Sequence, residues 1–169
     1  MTAAFFPDTT VLINFQVINR WDVLTELFKD GASWVASVED ECQQWVDDYP
    51  NIRDSAALIF GTAIRPEPAE LINIGITRSE MADPTDDHPT KHLGEAETIV
   101  VIKARFQGSR FITDDRGAYA AATAQGIQCY GTGDLLVVAE NKGLINAEEH
   151  KSDLAALRAS DRYPQSYYR

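Results

Sequence analysis

The chain has 169 residues, enough for one domain and too few for two. At 44 % hydrophobic and 24 % charged, it is excluded from the disordered, collagen-like and disulfide-scaffold classes. Lys plus Arg number 15 against 26 Asp plus Glu, a formal charge of -11 that leaves no basic footprint for nucleic acid and no polybasic membrane face.

In chain order, the apolar run 3–6 before Pro7-Asp8 predicts a strand ending at the aspartate. Thr9 or Thr10 opens a helix through Val11, Leu12, Phe15 and Ile18, and Trp21, Leu24, Leu27 and Phe28 continue its spacing until Gly31 stops it. Trp34-Val35-Ala36 reads as a short strand, and Ser37 caps a helix over about 38–48 that Pro50 closes. Residues 51–90 hold Pro66, Pro68, Pro84, Pro89 and a polar stretch over 80–87. They read as one helix near 54–64, then loops, a strand around 71–76 and a surface excursion. Segment 95–106 carries a β-branched run, but its length and the shared face of Ile99, Ile102 and Phe106 favour a helix buried on most sides. A strand over 110–113 ends in Asp114-Asp115, and an Ala-rich helix follows over 115–125 with Gly126 as its stop. Residues 127–130 form another strand, 134–142 another helix, and Asn146 with Glu149 makes a capping box for a last helix to about Ser160. Strands alternating with helices imply a three-layer α/β/α fold around a central parallel sheet.

Cys42 and Cys129 lack CxxC spacing and read as reduced, buried thiols of a cytoplasmic protein. Residues 1–7 have no basic n-region and too short an apolar run for a signal peptide, and the longest uncharged run, 117–133, is broken by four Gly, so no membrane segment is expected. His88 and His92 flank Pro89 and make no regular helical pair, His150 stands on the last helix, and no zinc spacing exists. Gly131 and Gly133 resemble a phosphate loop only loosely, since no GK[ST] follows.

In an open parallel sheet, a ligand site lies beyond the carboxyl ends of the strands. Acids collect there. Asp8 follows the first strand, Asp40 and Glu41 open the helix after the second, Glu95 and Glu97 sit in the first turn of the 95–106 helix, and Asp114 and Asp115 follow the 110–113 strand. Gathered carboxylates raise one another's pKa values and cost stability, a cost that hard divalent cations remove. Mg²⁺ and Mn²⁺ both accept such oxygen ligands, and ions so held activate water against a phosphodiester. Each acid also has a structural reading: Asp8 and Asp115 as N-caps, Glu41, Glu95 and Glu97 as first-turn acids. Asp114 has the weakest such excuse, and the agreement in position carries the inference.

The chain resembles the PIN domain, the nuclease fold of VapC-type toxins and of ribosomal and decay-related ribonucleases. The likeness rests on residues 6–14 (FPDTTVLIN), on 35–41 ending at Glu41, on the GExE start Leu93-Gly94-Glu95-Ala96-Glu97 of one prokaryotic branch, and on 111–116 (FITDDR) followed by 130–136 (YGTGDLL) and 142–145 (KGLI). The resemblance implies a domain over 1–145, with a C-terminal helix and tail over 146–169 packed on it. It implies a Mg²⁺- or Mn²⁺-dependent endoribonuclease with Asp8, Glu41, Glu95 and Asp115 catalytic. The metal would be held by Asp8, Glu41, Glu95 or Glu97, Asp114 and Asp115, with Asp114 either an added ligand or a group behind the ligands. Thr113 and Thr132 would orient carboxylates, and Asn14 would do so for Asp8. Candidates for holding RNA are Arg116, Arg53, Arg65 and Lys91. The tail mixes arginine with tyrosine and reads as frayed, packed on a partner or stacked on bases. An antitoxin partner and a homodimer are family expectations. The alternative is a catalytically silent domain that binds protein or RNA; a receiver-like phosphoacceptor reading lacks the Lys it needs near Gly131–Leu136.

Overall fold

The computed structural model describes residues 3–83, 85, 88 and 90–168. Pro84, Asp87 and Pro89 of the expected surface excursion, and Met1 and Arg169 at the ends, lie outside the described residues.

Three strands, β1 (Phe5–Pro7), β2 (Arg110–Ile112) and β3 (Gln128–Tyr130), form a parallel sheet in the order β1-β2-β3. Phe6, Phe111 and Cys129 stand level across it, all buried. Strands this short need helices on both faces to bury them, and nine are present among the described residues. These are α1 (Thr9–Val17), α2 (Trp21–Phe28), α3 (Ala36–Gln44), α4 (Ile52–Phe60), α5 (Leu71–Met81), α6 (Leu93–Arg105), α7 (Arg116–Ala124), α8 (Thr132–Asn141) and α9 (Ala147–Ala159). The result is the expected three-layer α/β fold. Phe6, Leu12, Phe15, Trp34, Ile99, Ile102, Phe111 and Leu136 fill its core without solvent contact beyond 1 %.

Four sequence expectations are corrected. The first long helix is two, because Asn19 takes a left-handed φ of 53° and the Arg20 N–H turns back to the Phe15 carbonyl (3.0 Å). Arg20 is thereby free to pair with Asp153 (2.9 Å) and Glu149 (3.3 Å) of α9. Trp34-Val35-Ala36 is no strand: only a single parallel bridge, Val35 to Ile64, forms there, and the helix starts at Ala36 rather than after Ser37. Residues 71–76 belong to a helix, α5, not a strand. The reason is tertiary, since Ile74 and Thr77 repeat at helical spacing and Ile74 packs with Ala96 and Val100 of α6. Helix α6 begins at Leu93, so Glu95, its third residue, lies in the first turn as expected, and Glu97, its fifth, lies in the second.

Candidate metal centre

The carboxyl ends of β1 and β2 end in acids that cap the next helix. Asp8 is the N-cap of α1, its Oδ1 accepting from the Thr9 N–H at 2.7 Å. Asp115 is the N-cap of α7, its Oδ1 accepting from the Ala118 N–H at 2.7 Å. Because the strands are adjacent and parallel, these caps face the same edge of the sheet. Thr113, fully buried between them, donates to Asp8 Oδ2 (3.3 Å) and accepts from the Asp115 N–H (3.0 Å). Thr10 also donates to Asp8 Oδ2, at 2.6 Å.

Helices α3 and α6 bring two more acids. Glu41 stands in the second turn of α3, not at its opening, while Asp40 is exposed. Glu41 Oε2 accepts from the Thr9 hydroxyl (2.5 Å) and Oε1 from the Gly94 N–H (3.2 Å). Gly94 explains itself here: a Cβ at that position would meet Glu41 Oε1 at 2.7 Å and Val38 Cγ2 at 3.2 Å. The absent side chain lets α6 approach α3 closely enough for Glu41 and Glu95 to share a field.

That field is visible in the pKa values. Burial pushes the Asp8 carboxyl up to about 7, with Glu41 and Asp115 adding repulsion against the lowering effect of the threonine hydrogen bonds. Burial likewise pushes Glu95 up to about 9, reinforced by Asp8, Glu41 and Asp115. Glu41 is raised by burial, with Glu97 and Asp40 contributing. Among the described residues no Lys or Arg forms an ion pair with Asp8, Glu41, Glu95 or Asp115. His92 places its Nδ1 3.6 Å from Glu95 Oε1. His92, Glu95 and Asp115 each offer a ligand atom within 4.8 Å of the others. His92 Nδ1 is buried without a hydrogen-bond partner. Converging carboxylates with raised pKa values beside an orphaned ring nitrogen fit a divalent cation.

The other expected residues are placed differently. Glu97 is buried with Oε2 accepting from the Ser37 hydroxyl (2.5 Å) and Oε1 from the Ser37 N–H (3.2 Å). It therefore satisfies the N-terminus of α3, and Glu95 is the α6 acid that faces Asp8 and Asp115. Asp114 is saturated. Its Oδ1 accepts from the backbone N–H groups of Thr132 (2.8 Å) and Gln165 (2.9 Å), and its Oδ2 from the Thr132 hydroxyl (2.5 Å) and Asn14 Nδ2 (2.7 Å). Burial raises its pKa in spite of these four bonds. Asn14 holds Asp114 and Thr132, not Asp8. Six residues along a helix turn about 240° from the N-cap, which carries Asn14 to a different side of α1. Arg116 is exposed and donates from Nε to Gln165 Oε1 (3.2 Å), and Arg53 is held by Glu39 (2.8 Å).

The tail is not frayed but packs on this end of its own chain. Gln165 lies so close to α8 that a Cβ on Gly133 would meet its carbonyl oxygen at 2.8 Å, and the Gly133 N–H donates to that oxygen (2.8 Å). The two glycines of the YGTGD stretch thus admit the chain's own tail. Asp134 accepts from the N–H groups of Tyr167 (2.9 Å) and Tyr168 (3.1 Å), and the Tyr167 ring stacks on Tyr119 at 3.9 Å. Arg162 donates to Asn14 Oδ1 (3.0 Å). Between tail and acids opens a cleft of about 450 Å³ lined by Thr10, Asn14, Asp114, Asp115 and residues 160–163. Sequence reasoning missed His92 because Pro89 drew attention to its pairing with His88; its place two residues before Gly94-Glu95 was the available signal.

No described helix is long and apolar enough to cross a membrane. No curated protein and no solved structure matches the chain. The family model DUF3368, described as a PIN domain, matches residues 5–168, which include all the acids and the docked tail. PIN domains are nucleases in general, and a cluster of acids able to hold a metal ion at the carboxyl end of a parallel sheet suits that chemistry. Fold, acid placement and family match agree: the chain belongs to the PIN-domain family.

Proposed function

We propose that the protein is a Mg²⁺- or Mn²⁺-dependent endoribonuclease that hydrolyses RNA phosphodiester bonds. The observation that carries this reading is the meeting of Asp8, Glu41, Glu95 and Asp115 in one buried field with no Lys or Arg paired to them among the described residues. A bound divalent ion would supply Lewis-acid polarisation of a phosphodiester oxygen and a nucleophilic water near neutral pH. The rest falls to the chain itself. Thr9, Thr10 and Thr113 fix the carboxylates of Glu41 and Asp8 by hydroxyl hydrogen bonds. Asp114, through Asn14, Thr132 and Gln165, holds the cleft wall in place. Arg162 and Tyr163 line the cleft opposite the acids and offer a cation for phosphate and an exposed ring for a base. Arg116, at the start of α7, is a further phosphate contact.

RNA incubated with the full chain is cut in Mg²⁺ or Mn²⁺ and left intact in EDTA, and Asp8→Asn abolishes cutting. Cleavage that persists in EDTA, or that Asp8→Asn leaves unchanged, overturns the proposal. The VapC-type toxin role rests on the resemblance alone and predicts Asp8-dependent growth arrest on induction in a bacterial host. A cytoplasmic setting suits the two free, buried cysteines. The expected homodimer would cover Leu71, Ile72 and Ile76, which α5 leaves more than half exposed.

A further inference from the structure

His92 occupies the N-cap of α6 in the left-handed region, φ 61° and ψ 13°, and its side chain makes no capping hydrogen bond. A His there forgoes both what an N-cap usually provides and an easy backbone conformation. Such outliers collect where the surroundings hold a side chain for a purpose. The side chain is 13 % exposed, yet Nδ1 is fully buried and unpartnered, and it faces Glu95 at 3.6 Å, too far for a hydrogen bond. A buried ring nitrogen without a partner is rare and calls for a group that is not protein. His92 also offers one of three ligand atoms that lie within 4.8 Å of one another, with Glu95 one turn further along α6 and Asp115 at the cap of α7. Asp115 commits Oδ1 to the Ala118 N–H, which leaves Oδ2 for the shared space.

We propose that His92 Nδ1 is a direct ligand of the divalent ion held by Glu95 and Asp115, and that it biases this centre toward Mn²⁺ over Mg²⁺. The inference rests on the metal-centre reading above and adds to it a nitrogen donor. Mg²⁺ strongly prefers oxygen ligands and retains its waters, whereas imidazole suits the later first-row ions and Mn²⁺ binds nitrogen more readily than Mg²⁺. A site of carboxylates alone would lack that preference.

Pulsed electron paramagnetic resonance of the full chain loaded with Mn²⁺ reads the coordination directly. The expected result is ¹⁴N coupling of an imidazole to the ion, lost in His92→Gly. That variant relieves the positive φ, so it keeps the fold while removing the ring. Its Mn²⁺ affinity, measured by calorimetry, falls about tenfold while its Mg²⁺ affinity changes much less. His92→Asn, which also tolerates the backbone, loses the coupling in the same way. Bound Mn²⁺ without nitrogen coupling, or coupling that survives in His92→Gly, overturns this inference and leaves the carboxylate centre standing. If Mn²⁺ does not bind the wild-type chain at all, the metal-centre reading falls, and this inference with it.

Discussion

The carboxyls of Asp8 and Glu95 are pushed far above ordinary carboxylates, to about 7 and about 9, by burial first and then by repulsion, from Glu41 on Asp8 and from Asp8 on Glu95. A raised folded-state pKa means that the folded chain holds its proton longer than the unfolded chain does. The stabilisation is complete below the unfolded value near 4 and is lost as pH rises through 7 and then 9. The metal-free protein should therefore melt lower at pH 9 than at pH 5, by roughly 5 °C if about 2 kcal/mol is at stake. Asp8→Asn and Glu95→Gln should each flatten that slope and raise the melting temperature at pH 9. Scanning calorimetry across the range checks this, and a slope unchanged in both variants would contradict the assignment of the field to these two groups. At this scale the sequence was informative where one residue does two jobs. Asp8 and Asp115 each end a strand and cap a helix, so local rules pointed straight at them. Asn14 was misjudged because its partner, Asp114, is 100 residues away and helical phase alone does not show it.

Among the elements, the α3–α6 and tail–α8 contacts are both built on missing Cβ atoms. Gly94→Ala places a methyl group 2.7 Å from Glu41 Oε1 and pushes α6 away from α3. Overpacking of this kind costs about 1–3 kcal/mol. Urea melts should show that loss, with cleavage failing beyond what the remaining folded fraction explains. Truncation after Ser160 removes the bonds of Arg162 to Asn14, of Gln165 to Asp114 and of residues 167 and 168 to Asp134, together with the Tyr119–Tyr167 stack. Several partly buried hydrogen bonds and two aromatic pairs, Tyr119–Tyr167 and Tyr130–Tyr168, together amount to roughly 3 kcal/mol. A truncated chain as stable and as active as the full one would rule out the tail as part of the site. The element reading worked where local signals agree with tertiary ones, as in α9, whose Asn146–Glu149 capping box forms in both directions at 2.9 and 2.8 Å. It failed at α5, where the Ile-rich stretch 71–76 has strand composition and only the packing of Ile74 beside Ala96 and Val100 makes it helical. The glycines of YGTGD were legible as conspicuous but not as a berth for residues more than thirty positions later.

For the molecule as a whole, a charge of -11 and the proposed RNA substrate, itself an anion, stand in apparent conflict. The acid surplus lies in residues 1–139, and part of it is the buried cluster that a divalent ion would neutralise. Calorimetric titration with Mn²⁺ at pH 7.5, repeated in two buffers of different ionisation enthalpy, tests this most directly. At that pH the metal-free protein holds the Glu95 proton, with Asp8 only partly protonated, so a bound ion should displace protons. The account predicts saturable binding with net proton release, both lost in Asp8→Asn. Absence of binding, or binding that Asp8→Asn leaves intact, would contradict it.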